Sequence, residues 1–206
     1  MVSSQSNKNI KSWKRKKFRK SEAVHRLRAS DRFLLLKNNS NNINPNLRLS
    51  EDEDNWFVEQ MYFPVNKTPL SFTAPRLYKI AEAVDRLFDL NLFHGDLCFS
   101  NISFDNQNHL LLFDWEVILE RFKKNKFSLR TTPYCLHPED HKLQKISRLT
   151  DIFGIAALTI ISIDGSVWRR HLSYDKDSRQ KLADYINDIP NFSNVELVDR
   201  ILHKIL

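Results

Sequence analysis

The chain of 206 residues carries a formal net charge of +7, and 41% of its residues are hydrophobic. This length suits one domain or a large and a small lobe, and no apolar stretch approaches the roughly 20 residues that span a bilayer. Only two cysteines are present, Cys98 and Cys135, and no secretory signal is visible. The sequence therefore excludes a disulfide framework and predicts a cytoplasmic protein.

The first 20 residues hold the excess positive charge. They contain eight Lys and Arg residues and no acidic residue, so the rest of the chain is close to neutral. Trp13 and Phe18 are interleaved with these basic residues. Such a segment can contact nucleic acid, an anionic membrane or an acidic protein through electrostatics. A solvated tail is the structural alternative.

Apolar patterns predict a small group of elements over residues 21–63. Ser21 can cap a helix whose apolar face includes Val24 and Leu27. Two strands are then predicted, at residues 33–36 and 56–63, with an Asn-rich loop (38–46) and an acidic turn (51–54) between them.

Helical patterns become frequent after this point. Apolar residues recur at helical spacing from Leu77 to Leu90, and a closing amphipathic helix is predicted over residues 195–206. The apolar run 152–163, which follows Asp151, predicts a buried helix. Two short strands, at 101–104 and 110–113, flank a turn of polar residues.

The clearest chemical pattern is the run His94-Gly95-Asp96-Leu97-Cys98-Phe99-Ser100-Asn101, followed by Phe113-Asp114-Trp115-Glu116. Asp96, Asn101 and Asp114 place two acids and one amide on loops that flank the predicted hairpin. Phosphoryl transfer from ATP needs such groups, because one carboxylate orients the attacking hydroxyl and oxygen ligands hold magnesium against the phosphates. A surface loop with solvated acids is the structural alternative.

This pattern resembles the protein-kinase-like superfamily, whose catalytic loop reads His-x-Asp-x-x-x-x-Asn and whose metal-binding motif begins with Asp. Residues 131–139 look like the end of an activation segment, and residues 150–158 are similar to the buried helix that anchors the catalytic loop. The resemblance implies an α+β, two-lobe fold with a truncated N-terminal lobe and a mostly helical C-terminal lobe. Residues 1–20 would form a basic N-terminal segment, residues 21–63 a reduced small lobe and residues 64–206 the large catalytic lobe.

The resemblance also implies an activity and its residues. It implies an ATP-dependent phosphotransferase that acts on a Ser or Thr hydroxyl of a protein, with ATP and Mg²⁺ as cofactors. Asp96 and Asn101 are the implied catalytic residues, and Asn101 and Asp114 are the implied metal ligands. Glu22 falls where the family's small-lobe helix carries its ion-pairing Glu, so it is expected to contact the cofactor together with Asn101 and Asp114.

Two further residues are expected to hold the large lobe together. Asp151 should lie buried near a helix start and accept hydrogen bonds from the catalytic-loop backbone. Glu139 should pair with a basic residue, with Arg169 and Arg170 as the candidates because of their later position.

The sequence departs from the protein-kinase pattern in several places. Its three glycines are Gly95, Gly154 and Gly165, so no glycine-rich loop precedes His94. The family's ATP-contacting lysine has no motif match, because Lys37 falls in the wrong place in the order. Cys98 stands where many protein kinases carry a catalytic-loop lysine.

Two alternatives therefore stay open. The His-Gly-Asp and Asp-Trp-Glu motifs are more typical of small-molecule kinases of the aminoglycoside and choline type. The missing glycine loop and lysine also fit a pseudokinase, which binds a partner without catalysis, and a partner could complete the small lobe. We favour the protein kinase type, because small-molecule kinases lack the segment at 131–139 and a pure scaffold does not need Asp96, Asn101 and Asp114.

Overall fold

The computed structural model describes residues 12–22, 31, 33–39, 47–62, 71–105, 107–115, 132–143, 146–189 and 191–205. Over these residues the fold is α+β, with a three-stranded sheet, a two-stranded hairpin and a helical second part. None of the described helices combines the length and apolar character that a membrane span requires.

An antiparallel sheet forms the first part of the fold. Its strands are β1 (Ser12–Arg19), β2 (Leu47–Glu51) and β3 (Asn55–Tyr62), in the order β1-β3-β2. β1 pairs with β3 along its whole length, and its Phe18 is buried. The sheet thus includes residues 12–19, which the sequence analysis assigned to a separate basic segment. The interpretation of this stretch as a solvated tail is wrong.

Residues 33–39 form a helix, α1, so the strand predicted at 33–36 is wrong. Phe33 and Leu36 are buried, whereas Leu34 and Leu35 are 46% and 38% exposed. Burial of residues three apart is helical spacing, because a strand would bury alternate residues. The ring of Phe33 stacks on Trp56 of β3, with centroids 5.7 Å apart, and so packs α1 against the sheet.

Two other small-lobe predictions have different outcomes. The strand predicted at 56–63 is confirmed as β3, whereas β2 was not predicted. Near the predicted helix start at Ser21, the structure has the 3-10 turn Lys20–Glu22. The rest of that predicted helix, residues 23–30, lies outside the described residues.

The helical part is built around one buried helix. The helices are α2 (Ala74–Asp89), α3 (Pro138–Leu143), α4 (Arg148–Asp164), α5 (Ser166–Tyr174), α6 (Lys176–Asn187) and α7 (Asn194–Ile205). α4 is buried along most of its length, and α2, α5, α6 and α7 pack around it. The helices predicted at 77–90, 152–163 and 195–206 are confirmed as α2, α4 and α7, although residue 206 lies outside the described residues.

The predicted hairpin is also confirmed. β4 (Ile102–Phe104) pairs with β5 (Leu110–Leu112), and the hairpin separates the loop after α2 from the loop that contains Asp114. Gln60 of β3 donates a hydrogen bond from its side chain to the carbonyl oxygen of Leu112. This contact joins the three-stranded sheet to the hairpin.

Candidate active site

Asp151 fixes the loop that contains His94 and Asp96. Its side chain is fully buried near the start of α4. It accepts hydrogen bonds from the backbone N–H of His94 (2.5 Å) and of Gly95 (2.6 Å). Burial raises the pKa of Asp151 to about 7, and the two backbone donors act in the opposite direction. The expectation for this residue is confirmed.

Two glycines let this loop approach α4. Gly95 has a φ of 82°, in the left-handed region that favours glycine. At Gly154 of α4, an added Cβ would lie 3.1 Å from both the Cβ and the carbonyl oxygen of Leu97. The loop therefore rests directly on the helix.

His94 connects the loop to the chain that follows β5. Its ring is buried, Nδ1 accepts a hydrogen bond from the backbone N–H of Asp96 (3.3 Å), and Nε2 lies 2.7 Å from the carbonyl oxygen of Phe113. Burial lowers the pKa of His94. The geometry thus assigns a neutral ring that carries its proton on Nε2. The backbone N–H of Phe113 also donates to the carbonyl oxygen of Asn101 (2.8 Å).

Asp96 and Asn101 form one hydrogen-bonded unit. The side-chain amide of Asn101 donates to Oδ2 of Asp96 and to its backbone carbonyl oxygen, each at 2.9 Å. Oδ1 of Asp96 accepts from the backbone N–H of Thr132 (2.8 Å). The carboxylate is therefore held by donors on both oxygens. Asn101 donates through its nitrogen, so its amide oxygen is the atom suited to bind a cation.

Asp114 follows β5 and adopts a φ of 65°, which Asp tolerates better than most residues. Its side chain is 45% exposed, and its Oδ1 forms an ion pair with Lys16 of β1. The sequence pattern did not single out Lys16, which the structure brings against Asp114. Lys37, which the sequence places out of order for this role, forms an ion pair with Glu51, with Nζ and Oε1 3.4 Å apart.

Lys16 lies on the first strand of the sheet. In chain order, α1 follows β1 and precedes β2 and β3. In protein kinases the phosphate-contacting lysine likewise lies on the strand before the helix that carries its Glu partner. Four consecutive basic residues, from Lys14 to Lys17, give no local signal for selecting one of them. Glu22 follows β1 in the 3-10 turn, but its side chain lies outside the described residues.

Cys98 does not replace the missing lysine as a cation. Its side chain is buried and its Sγ lies 3.0 Å from Oγ of Ser100. Burial raises the pKa of Cys98, so the group stays a neutral thiol.

A short turn packs against the catalytic loop. Residues 133–135 form a 3-10 turn. The hydroxyl oxygen of Tyr134 accepts a hydrogen bond from the backbone N–H of Phe99 (3.3 Å). The Arg169 guanidinium lies over both rings, 5.5 Å from the Phe99 centroid and 5.4 Å from that of Tyr134. The preceding residues 116–131 lie outside the described residues.

The expected pairing of Glu139 is wrong. Among the described residues, Glu139 forms no ion pair with Arg169 or Arg170. The neighbouring Asp140 is the buried acid, and its carboxylate accepts hydrogen bonds from Oγ of Ser147 (2.7 Å) and Oγ1 of Thr150 (2.6 Å). Asp140 thus ties α3 to the start of α4.

The oxygen ligands suit a partly hydrated Mg²⁺ better than an all-protein metal site. In the described part of the chain, no group of three or more His, Cys, Asp and Glu side chains could hold a metal ion. Mg²⁺ commonly uses one or two protein ligands together with phosphate oxygens and water. The Asp114 carboxylate and the Asn101 amide oxygen are oxygen atoms of the type that could serve as these one or two protein ligands.

The comparisons with known proteins support a relationship to protein kinases. No family model matches the chain. Over 92 residues it is 30% identical to an Aurora kinase of Eremothecium gossypii. The aligned residues make up 44% of this chain and 25% of that protein, so the match spans a quarter of the relative's length.

Proposed function

We propose that this chain is a protein-kinase-type phosphotransferase that moves the γ-phosphate of ATP to a Ser or Thr hydroxyl of a protein. The observation that carries the proposal is the unit formed by Asp96 and Asn101, which His94 and Phe113 connect to the loop of Asp114. The partial similarity to an Aurora kinase supports the same reaction class.

Asp96 is the proposed catalytic base. Donors on both of its oxygens fix the carboxylate, and fixed orientation is the main requirement for a group that accepts a hydroxyl proton. Asp151 of α4 holds the backbone N–H groups of His94 and Gly95, which directly precede Asp96. The position of Asp96 is therefore fixed by hydrogen bonds to a buried helix.

Asn101 and Asp114 are the proposed ligands of Mg²⁺, and Lys16 is the proposed cation for the ATP phosphates. Mg²⁺ supplies neutralisation of the phosphate charge when it is bound. Lys16 already lies against Asp114, so its ammonium is close to the place where a metal-bound phosphate would be held. Glu22 remains our candidate for orienting the cofactor-binding lysine, as in the family.

The turn at 133–135 favours a protein acceptor over a small molecule. Its neighbour Thr132 contacts Asp96 directly, and Tyr134 contacts the backbone of the same loop. A segment held this close to the proposed base is suited to positioning an extended peptide, as the corresponding segment does in protein kinases.

A second candidate function is a binding module without catalysis. Cys98 favours it, because a neutral buried thiol replaces a cation that stabilises the transferred phosphate in many protein kinases. The two candidate functions share the same fold and differ in whether phosphate is transferred from ATP. A measurement of phosphate transfer therefore decides between them.

The first experiment measures nucleotide binding by thermal shift with ATP, with and without Mg²⁺. Asp114→Asn removes the charge while tolerating the positive φ, so it should lose the Mg²⁺-dependent part of the stabilisation. Asp89→Ala, an exposed acid at the end of α2, is the control and should behave as the parent does. Equal Mg²⁺-dependent shifts in the parent and Asp114→Asn would contradict the ligand assignment.

The second experiment measures transfer from radiolabelled ATP to generic protein acceptors. Asp96→Asn should lower transfer by about 10²–10⁴-fold and leave nucleotide binding in place. Binding of Mg-ATP by the parent with no transfer to any acceptor would favour the binding module. Equal labelling by the parent and the variant would refute the role of Asp96.

A further inference from the structure

The three-stranded sheet has two chemically different faces. Because alternate residues of a strand share a face, one face carries Phe18, Trp56 and Val58, which belong to the core. The opposite face, which we call the outer face, consists by register of Trp13, Arg15, Lys17 and Arg19 of β1, Arg48 and Ser50 of β2, and Asn55, Phe57, Glu59 and Met61 of β3. Lys16, and with it the candidate active site, lies on the core side.

Two arginines lie against aromatic rings on the outer face. The guanidinium carbon of Arg48 is 4.1 Å from the ring centroid of Trp13, and that of Arg15 is 4.0 Å from the ring centroid of Phe57. Contacts of this kind restrict the guanidinium groups before any ligand binds, so less side-chain entropy remains to be lost.

The outer face is strongly basic. Arg15, Lys17, Arg19 and Arg48 are exposed. Among the described strand residues of this face, Glu59 is the single acid, and its Oε1 lies 3.4 Å from Nε of Arg15. In the neighbouring turn, hydrogen bonds from Asn55 lower the pKa of Asp52, and Lys17 lies close enough for its charge to add to this effect. Four cations against these two carboxylates leave a positive potential, which is complementary to a polyanion.

We propose that the outer face binds single-stranded nucleic acid, with the basic side chains on phosphates and the arginine–aromatic pairs against bases. Guanidinium planes and aromatic rings are the groups on which unpaired bases stack. Alternate residues of β1 repeat every 6.6–6.8 Å or so, which is close to the separation of successive phosphates in an extended strand.

The chemistry of this face fits nucleic acid better than an anionic membrane or an acidic protein. Membrane binding by a basic surface also uses apolar side chains that enter the lipid. Among the described side chains of the outer face, the large apolar groups are the rings of Trp13 and Phe57, and each ring is covered by a guanidinium. An acidic protein would satisfy the charge but would leave the flat arginine–aromatic pairs without a stacking partner.

The test measures fluorescence anisotropy of a labelled 12-nucleotide oligouridine with the full chain at several salt concentrations. With about four phosphate contacts, the logarithm of the binding constant should fall against the logarithm of salt with a slope of about −2.8. This corresponds to a loss of about 50-fold in affinity between 50 and 200 mM salt. The oligouridine should bind more tightly than a duplex with the same number of phosphates, because its bases can stack.

Two double variants separate charge from stacking. Arg15→Gln with Arg48→Gln should reduce the slope to about −1.4, since two contacts are removed. Arg15→Lys with Arg48→Lys should keep the slope but weaken binding at every salt concentration, because the planar groups are lost. The control, Arg170→Gln with Lys176→Gln, removes two exposed cations of α5 and α6 and should change neither quantity.

Several results would overturn the proposal. The first is that oligouridine does not bind at low salt, and the second is that oligouridine and duplex bind equally. The third is that Arg15→Gln with Arg48→Gln loses no more affinity than the control, Arg170→Gln with Lys176→Gln. Tighter binding to phosphatidylserine vesicles or to polyglutamate than to oligouridine would assign the face to a different partner and would also overturn it. Kinase activity does not enter this test, so its outcome is independent of the proposed function.

Discussion

Replacement of Asp151 tests whether α4 fixes the catalytic loop. Asp151→Ala removes the acceptor for the backbone N–H groups of His94 and Gly95, and both groups are deeply buried. Each buried donor that loses its partner costs about 1–3 kcal/mol. We therefore expect a loss of about 2–6 kcal/mol in the free energy of unfolding, which corresponds to about 4–24 °C in melting temperature for a chain of this size.

The measurement is urea unfolding followed by circular dichroism, with the slope of the transition compared between variants. Asp164→Ala is the matched control, because Asp164 ends the same helix and is exposed. The control should remain within about 0.5 kcal/mol of the parent. A change of this small size in Asp151→Ala would refute the reasoning.

The pH dependence gives an independent check on Asp151. Its pKa is about 7 in the folded protein because of burial, whereas the unfolded value is about 3.9. The folded state binds the additional proton, so this contribution to stability is full below about pH 4 and is lost as the pH rises through about 7. The destabilisation caused by Asp151→Asn should therefore be larger at pH 6 than at pH 8, by about 1 kcal/mol.

Comparison with Asp151→Asn at each pH is needed because other groups titrate nearby. Burial lowers the pKa of both His94 and His137. Their contributions are lost as the pH falls below about 6.5, which is the opposite direction. Both histidines are present in parent and variant, so their contributions cancel in the difference. A difference that stays constant from pH 6 to pH 8 would show that Asp151 is ionised throughout this range.

Two further substitutions test the site from the sheet and from the helix. Lys16→Met should weaken stabilisation by Mg-ATP in a thermal shift assay. Lys17→Met, on the opposite face of β1, should not weaken it, and equal effects of the two variants would contradict the assignment of Lys16. Gly154→Ala should lower the unfolding midpoint in urea, although alanine favours a helix by about 1 kcal/mol over glycine. The added Cβ would lie 3.1 Å from the carbonyl oxygen of Leu97, and a higher midpoint would show that the loop can move away.

The catalytic loop and its anchor could be predicted because their information is local. The spacing from His94 to Asn101 defines the loop, and the run after Asp151 is long enough to predict a helix without reference to other elements. The same reasoning predicted β4, β5, α2 and α7. These elements each contain their own periodic pattern or turn signal.

The small lobe could be predicted only in part, because its elements depend on distant partners. The apolar run from Phe33 to Leu36 is too short to distinguish a helix from a strand, and only the packing of Phe33 on Trp56 selects the helix. β1 buries Phe18 among basic residues, and its extended state is set by pairing with β3 across some 40 residues of sequence. The pairing of Glu139 failed for a similar reason, since Arg169 instead lies over the rings of Phe99 and Tyr134.

The register of β1 divides one basic segment into two surfaces with different chemistry. Phe18 pairs with Trp56 on the core side, which places Lys16 on that side beside Asp114 and places Arg15 and Lys17 on the outer face. A shift of one residue would exchange these positions and move Lys16 away from Asp114. The buried Phe18 therefore decides which charges lie at the proposed active site, and variants of the two faces of β1 should affect the proposed nucleotide binding and nucleic-acid binding separately.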